Sequence, residues 1–309
     1  MNLIERLQFA FPFSRRDIEL LIHTAPRRYK IHSIEKRNGR GSRLIAQPTS
    51  ELKQVQRWVV SNYIARLPVH AAAMAYRHGI GIKEHAQIHA PNNYLLKLDF
   101  TDFFPSIRGA DFIGHAEKFL PEVDSVDRER LMRLLFRRPT GTREYILSIG
   151  APSSPALSNT IVYDFDNAVR CFCATQEVLY SRYADDLAFS TNKPRVLGEV
   201  KSFVENFCKT MDYPRLNLNE DKTVFTSKKF QRQLTGLVLS NDGTASIGRD
   251  RKREIRSMAH HFSQGSLPQE KMAKLRGLIA FSISIDPDYV RSLRRMMGDV
   301  KFCELMKAG

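Results

Sequence analysis

Two adjacent acids between two apolar segments constrain the fold of this chain more than any other feature. Asp185 and Asp186 lie between residues 178–182 and 187–190, both of strand-like composition. Adjacent carboxylates repel each other and prefer solvent, so an ordinary surface turn is one interpretation. Because the flanking segments are apolar, the other interpretation is a rigid β-hairpin whose acidic tip requires a cation.

A third acid, Asp99, lies near the end of the apolar run at residues 94–100. A buried strand rarely carries an aspartate unless that carboxylate has a partner, although a capping or turn role is the alternative. Phosphoryl transfer from a nucleoside triphosphate uses two metal ions about 3.5–4 Å apart. We therefore predict that Asp99 and Asp185, with Asp186 beside them, hold two Mg²⁺ ions.

The remaining segments predict a mixed α and β chain. Ser14 and Asp17 resemble a capping box that opens a helix closed by Pro26. The Asn38-Gly39 turn signal predicts a hairpin between residues 29–36 and 43–46. The order of elements favours an α+β fold with an antiparallel sheet. Further expected elements are helices from residue 49 or 50, at 131–137, after 150–155, at 196–211 and beyond 248, with strands at 223–225 and 234–239.

The charge balance indicates a polyanionic partner. The 309 residues carry a formal net charge of +15, and the sequence pI is about 9.8. Nucleic acid is the natural partner for such a surplus, and a generic basic surface is the alternative. No run approaches about 20 apolar residues, so we expect no membrane span. Four cysteines without metal-binding spacing indicate a reducing compartment, and we expect a cytoplasmic protein.

Seven segments in order resemble the motifs of reverse transcriptases. Their sequences, from the first fingers motif to the primer grip, are RLIAQP at 43–48, YRHG at 76–79, DFTDFFPSI at 99–107, GAPSSP at 150–155, YADD at 183–186, LNEDKT at 218–223 and LTGL at 234–237. This resemblance implies a right-hand polymerase architecture with fingers (1–95), palm (96–235) and a small basic helical thumb (236–309). It also implies RNA-directed DNA polymerase activity on deoxynucleoside triphosphates.

The resemblance assigns roles to individual residues. Asp99 and Asp185 become the metal ligands, and Asp186 completes the acidic cluster. Phe104 matches the aromatic gate that excludes a 2′-hydroxyl, although a core position beside Phe103 is the alternative. Lys222 matches the lysine that protonates the leaving pyrophosphate, unless it is a surface lysine.

Further substrate contacts follow from the same motifs. The expected set is Arg43, Arg77, Phe100, Phe104, Pro152 and Ser153. Guanidinium groups suit the triphosphate, but Arg43 and Arg77 are equally compatible with plain surface charges. One departure concerns Ile149, which occupies the position where many family members have a nucleotide-contacting Gln.

Two segments resemble signatures of the bacterial retron group. Residues 84–89 contain His85 and His89 just before Asp99, and Leu234-Thr235-Gly236 resembles the Val-Thr-Gly signature. For the two histidines we expect a structural or RNA-contacting role, and a metal site is the less favoured interpretation. RNA contacts are also expected from a basic cluster in the thumb, comprising Arg249, Arg251, Lys252, Arg253 and Arg256.

A retron enzyme copies part of a structured non-coding RNA, beginning at a guanosine 2′-hydroxyl. Its product is a small single-stranded DNA joined to RNA. The resemblance also implies antiphage defence with an effector protein encoded nearby, and no membrane partner. The alternatives are a group II intron or diversity-generating reverse transcriptase, or an RNA-binding scaffold without catalysis.

Overall fold

The computed structural model describes residues 1–35 and 41–307. Its helices are α1 Leu3–Ala10, α2 Arg15–Thr24, α3 Ser50–Asn62, α4 Ile82–His89, α5 Phe103–Ser106, α6 Gly109–Phe119, α7 Ser125–Leu135, α8 Ser154–Ile161, α9 Tyr163–Thr175, α10 Val196–Thr210, α11 Arg249–Ser263, α12 Gln269–Ile285, α13 Pro287–Met297 and α14 Asp299–Lys307. Its strands are β1 Tyr29–Glu35, β2 Ser42–Pro48, β3 Tyr94–Asp99, β4 Leu179–Tyr183, β5 Asp186–Thr191, β6 Val224–Ser227, β7 Arg232–Leu234, β8 Leu237–Leu239 and β9 Ala245–Ser246.

The chain divides into two compact units, and neither is continuous in sequence. The first contains residues 1–76, 98–187 and 195–223, and the second contains residues 77–97, 188–194 and 224–309. The expected fingers, palm and thumb are continuous segments of the sequence. These two discontinuous units do not test their limits, which stay a prediction.

The four-stranded sheet has the order β4-β5-β3-β6. Its β3 and β6 are antiparallel, with Tyr94 opposite Ser227 and Lys97 opposite Val224. Together with the helices, this sheet confirms the expected α+β class.

In the first unit, β1 and β2 form the expected antiparallel ladder, from Tyr29 opposite Pro48 to Glu35 opposite Ser42. The Asn38-Gly39 turn lies outside the described residues. A backbone hydrogen bond of 2.8 Å from Ala46 N to Ile149 O ties this ladder to the loop before α8. Gly150 is required there because its φ is +110° and a Cβ would lie 3.2 Å from the Ala46 carbonyl oxygen.

Local signals predicted several helix ends correctly. The Ser14 side chain accepts from Asp17 N and the Asp17 carboxylate accepts from Ser14 N, which closes the capping box of α2. The third helix begins at Ser50 after Thr49, as expected. The basic segment after residue 248 is helical through α11–α14.

The expectation of one strand at residues 234–239 was wrong. Thr235 (φ +46°) and Gly236 (φ +81°) are both left-handed, so the chain reverses between β7 and β8. An extended ladder cannot pass through two left-handed residues, and the segment is a tight hairpin instead.

The second unit has its own apolar core. Residues from α4, β7–β9 and α11–α14, such as Leu237, Ile255, Leu275 and Leu293, pack together there. The apolar faces of four successive helices are buried in this way. Among the described residues, no helix combines the length and apolar character needed to cross a bilayer.

Candidate active site

Asp99 ends β3, and backbone hydrogen bonds hold it on two sides. Phe100 N donates to Asp185 O over 3.1 Å, which joins the end of β3 to the turn between β4 and β5. Asn219 N donates to Asp99 O over 2.8 Å. The expected meeting of the strand end and the hairpin tip is therefore present in the backbone.

The β4–β5 connection is as tight as the apolar flanking segments predicted. Ala184 is buried and left-handed, with φ +58°, between the two strands. A non-glycine residue with this φ is uncommon and persists where its surroundings hold it. The turn places Asp185 and Asp186, both half-buried, on the side where Asp99 lies.

The carboxylates repel one another and have one close cation. Burial, with the charges of Asp185 and Asp99, raises the pKa of Asp186 to about 7. Burial and the Asp99 charge also raise the pKa of Asp185. Lys222 Nζ donates to Asp99 Oδ1 over 2.7 Å. Three clustered acids with one lysine leave uncompensated negative charge that a cation would stabilise.

The donor set fits a divalent cation that keeps some of its own water. Within residues 1–35 and 41–307, no three Asp, Glu, His or Cys side chains form a ready-made metal cage. Mg²⁺ is usually bound by one or two carboxylates together with substrate phosphates. The chemistry of Asp99 and Asp185 therefore suits it, and their binding role stays a prediction.

A buried ion pair, which the sequence analysis missed, holds the turn between β4 and β5. Arg182 on β4 donates to both Asp166 oxygens, at 2.9 Å from Nε and 2.7 Å from Nη2, and both side chains are 0% exposed. Arg182 Nη1 also donates to Ala184 O over 3.1 Å. Burial disfavours the charged Arg182, but Asp166 more than offsets this and raises the pKa of the guanidinium. The available signal was an acid beside Phe165 on the apolar face of α9.

A cavity of about 380 Å³ lies beside Phe104 in the same unit. Phe104 is half-buried, and its ring centroid lies 6.5 Å from that of Tyr76. Pro152 and Ile149 also line the cavity, so three of the positions discussed above, with Phe104, meet there. Basic groups at the cavity that the sequence analysis missed are Lys53 and Arg57, four residues apart on α3.

The expected substrate contact of Phe100 is wrong, whereas that of Ser153 stays a prediction, because burial of its side chain does not remove a backbone contact. Phe100 is 2% exposed and stacks on Phe103 at 5.6 Å, so it belongs to the core. Ser153 is fully buried at the start of α8. The Phe100 ring also lies 5.4 Å from that of Phe165, so its side chain packs among core aromatics and presents no surface to a nucleotide.

The two arginines expected at the triphosphate differ in their placement. Arg43 is exposed on β2, and its positive charge partly opposes the rise in the pKa of Asp185. This is compatible with a position near the acids. Arg77 belongs to the second unit, so its expected triphosphate contact stays a prediction.

The RNA contacts expected of His85 and His89 are wrong for this structure, because both side chains are fully buried. His89 Nδ1 lies 2.7 Å from Ser190 Oγ, and the two imidazole centroids are 5.7 Å apart. Burial lowers the pKa of His85 to about 4 and that of His89 well below its usual value, so both are neutral at pH 7. The structural alternative accounts for both residues.

The thumb cluster separates into two sets. Arg249, Arg253 and Arg256 are exposed, and their spacing of four and three residues places them on one face of α11. Lys252 instead forms an ion pair with Asp286, 2.5 Å apart, and Arg251 lies over the Phe281 ring. Within the described residues, the first set forms no ion pair and no cation–π contact, unlike Arg251 and Lys252.

Comparison with known proteins agrees with the geometry. The family model described as "Reverse transcriptase (RNA-dependent DNA polymerase)" matches residues 34–256. The Retron Ec83 reverse transcriptase of Escherichia coli is 36% identical over 300 residues, covering 95% of this chain and 93% of that protein. The Retron Ec86 reverse transcriptase of the same species is 30% identical, covering 95% and 88%.

A solved structure supports the fold alone. Telomerase from Candida albicans, in complex with a TWJ fragment of telomeric RNA, matches with a TM-score of 0.50 and 13% identity. The match covers 91% of this chain and 56% of the telomerase chain. This chain therefore spans just over half the length of that structure.

Proposed function

This chain belongs to the reverse transcriptase family, and to its retron group, and from that premise we propose that it copies part of a structured non-coding RNA into single-stranded DNA joined to RNA. RNA-directed DNA polymerase activity follows from the family itself, as do an RNA template and nucleotide substrates. The α+β polymerase architecture is likewise that of the family.

The observation that carries the proposal is the convergence of Asp99, Asp185 and Asp186 beside Lys222. In this proposal Asp99 and Asp185 hold two Mg²⁺ ions, and Asp186 adds negative charge beside them. The ions, when bound, activate the primer hydroxyl and stabilise the leaving pyrophosphate. Lys222, which donates to Asp99 in this structure, would supply a proton to the leaving pyrophosphate oxygen.

The cavity beside Phe104 is the proposed site of the incoming deoxynucleotide. Its volume of about 380 Å³ is within the usual range of ligand pockets. Lys53 and Arg57 supply positive charge for phosphates, and Arg43 does so from β2. Pro152 and Ile149 give an apolar wall in the place where a Gln would donate a hydrogen bond.

Replacing Phe104 with Ala is expected to weaken discrimination against ribonucleotides. A clash of about 1–3 kcal/mol with the 2′-hydroxyl would be relieved, so the ratio of kcat/KM for dATP to that for ATP falls about 10–100-fold. Single-nucleotide primer extension measures both values. Phe9→Ala, at a residue 90% exposed on α1, is the control and leaves the ratio unchanged. If the ratio is unchanged in Phe104→Ala, Phe104 does not exclude ribonucleotides and is a core aromatic beside Phe103.

RNA is proposed to bind the exposed face formed by Arg249, Arg253 and Arg256. An array of guanidinium groups on one helix face suits a phosphate backbone, and such contacts position RNA without reading its sequence. The limits of 1–95, 96–235 and 236–309 for fingers, palm and thumb remain part of this proposal.

Priming and biological role complete the proposal. DNA synthesis begins at a guanosine 2′-hydroxyl within the RNA, and the enzyme acts in the cytoplasm with an effector encoded nearby in defence against phages. The support for these points is membership of the retron group.

The test uses cells that carry the gene with its native flanking DNA. Small nucleic acids are separated on a denaturing gel with and without RNase, beside the Asp185→Asn/Asp186→Asn variant. We expect a discrete DNA band that shortens with RNase and is absent from the variant.

Two other results have different meanings. Without the band, primer extension by the purified protein would retain the polymerase assignment and reject the retron product. A group II intron or diversity-generating activity would then be the better explanation. Unchanged biological activity in the variant would favour a non-catalytic RNA scaffold.

A further inference from the structure

A cavity of about 600 Å³ in the first unit is lined by four arginines and no acid. It lies between the segment from Pro26 to Ile31 and the loop at residues 137–143. The arginines are Arg27, Arg137, Arg138 and Arg143. A cavity of this size would accommodate a nucleotide-sized group, and its charge selects an anion.

Arg137 is the anomalous residue of this cavity. It is 7% exposed, and its Nε has no hydrogen-bond partner in the described structure. It also forms no ion pair within the described residues. A buried N–H donor without an acceptor is costly, because it loses water and gains no hydrogen bond in return. Such a donor in a cavity lined by arginines favours an anionic ligand.

The nearby groups do not supply the missing negative charge. Glu144, the acid closest in sequence, pairs with Arg108 at 2.7 Å. Burial raises the pKa of Tyr29 to about 12, so its hydroxyl is neutral at physiological pH. Residues 36–40, outside the described part, contain no Asp or Glu in their sequence.

The cavity wall is held in place by backbone hydrogen bonds. Arg137 N donates to Ile146 O and Ile146 N donates to Arg137 O, both over 2.9 Å. Arg138 N donates to Pro26 O over 2.8 Å, and Arg138 Nε donates to Thr142 O over 3.0 Å. A ligand would therefore meet an organised site and order little of the chain on binding.

We propose that this cavity binds a phosphodiester of the RNA, with Arg137 as the central donor and Arg27, Arg138 and Arg143 around it. Guanidinium groups form forked hydrogen bonds with phosphate oxygens. Tyr29 and Ile31 provide an apolar surface for the attached nucleoside. The proposal rests on the family's use of RNA and is independent of the retron product.

The test measures RNA binding by the purified full chain. The probe is a fluorescently labelled RNA hairpin with single-stranded flanks, titrated over a range of KCl concentrations. In Arg137→Met, Kd is expected to rise about tenfold, the value of a charge-assisted hydrogen bond. The slope of log Kd against log salt is expected to fall by about one. Arg133→Met, an arginine of α7 paired with Glu129, is the charge-matched control and changes Kd less than about twofold.

A second readout separates a ligand role from a structural one. Removing an unpaired buried charge leaves the Tm of the RNA-free protein unchanged or raises it. A lower Tm with unchanged RNA affinity would make Arg137 a structural residue and overturn the proposal. In Arg137→Met the KM for the RNA template is expected to rise with Kd, whereas Asp185→Asn lowers kcat, which keeps this test distinct from that of the polymerase site.

Two further measurements cover the remaining outcomes. If Arg137→Met fails to fold, Arg143→Gln at the exposed rim is used instead. It is expected to raise Kd about threefold, and an unchanged Kd rejects the proposal. If inorganic phosphate or AMP raises the wild-type Tm but RNA affinity is the same in every variant, the cavity binds free nucleotides and the RNA assignment is wrong.

Discussion

Replacing Asp185 with Asn is expected to reduce primer extension on an RNA template at least about a thousandfold. Loss of a metal-binding carboxylate removes several kcal/mol of transition-state stabilisation, and each 1.4 kcal/mol or so is a factor of about ten in rate. Asp99→Asn is expected to have a similar effect, because Asp99 is the other proposed ligand. The measurement is incorporation of deoxynucleotides onto a DNA primer under single-turnover conditions.

Asp185→Asn and Asp186→Asn should not unfold the protein. Burial and the charges of neighbouring acids raise the pKa values of both Asp185 and Asp186, so a neutral side chain relieves an unfavourable charge. For Asp186→Asn the gain in Tm is expected to be larger at pH 8 than at pH 5. The reason is that a folded-state pKa of about 7, above the usual value, makes the carboxylate destabilising as pH rises toward 7.

Asp212→Asn is the control, since Asp212 is an exposed acid of the same unit. It is expected to retain both activity and Tm. Activity near the wild-type level in Asp185→Asn would show that this carboxylate is not a ligand of the catalytic metals. The scaffold alternative would then regain support.

Replacing Asp166 with Leu is expected to lower the free energy of unfolding by about 3–5 kcal/mol. The change leaves Arg182 charged and without its carboxylate in a fully buried site. It also removes the acceptor for the Tyr180 hydroxyl, which donates to Asp166 over 2.7 Å. Urea unfolding measures the loss. The control is Asp164→Leu, at an acid that shares α9 with Asp166. It breaks an exposed pair with Lys118 of α6 and costs at most about 1 kcal/mol.

A double variant separates stability from positioning. Asp166→Leu/Arg182→Met replaces the ion pair with apolar groups of similar size, so most of the lost stability is expected to return. Primer extension is expected to stay low, because the Ala184 carbonyl has lost the donor that holds the turn carrying Asp185 and Asp186. Recovery of both stability and activity would mean that Arg182 acts only through folding.

Local patterns were sufficient for much of the fold. The Ser14 capping box, the β1–β2 ladder and the strands around Asp185 follow from short-range spacing, which a single sequence displays. The hairpin at Thr235-Gly236 did not, because a left-handed threonine has no distinctive sequence signal. The presence of Gly236 did not by itself indicate that the chain reverses at this position.

Motif matching identified the acids but not the orientation of their neighbours. Phe100 and His85 occupy motif positions, yet both side chains are buried. Exposure depends on which face of a strand or helix meets the core, and residues distant in sequence determine that face. For the same reason, the sequence did not distinguish Arg249 from Lys252. Both are basic residues of α11, but Arg249 is exposed and Lys252 is paired with Asp286.

The sequence by itself determined the family, the acidic residues of the proposed metal site and the basic character that indicates nucleic acid, because these depend on residue identity and order. Only the tertiary structure decided that Asp166 neutralises Arg182, that Phe104 borders a cavity with Tyr76, and that Arg137 Nε has no acceptor among the described residues. Electrostatic and packing energies depend on distance and burial, and folding brings together groups that the sequence keeps far apart.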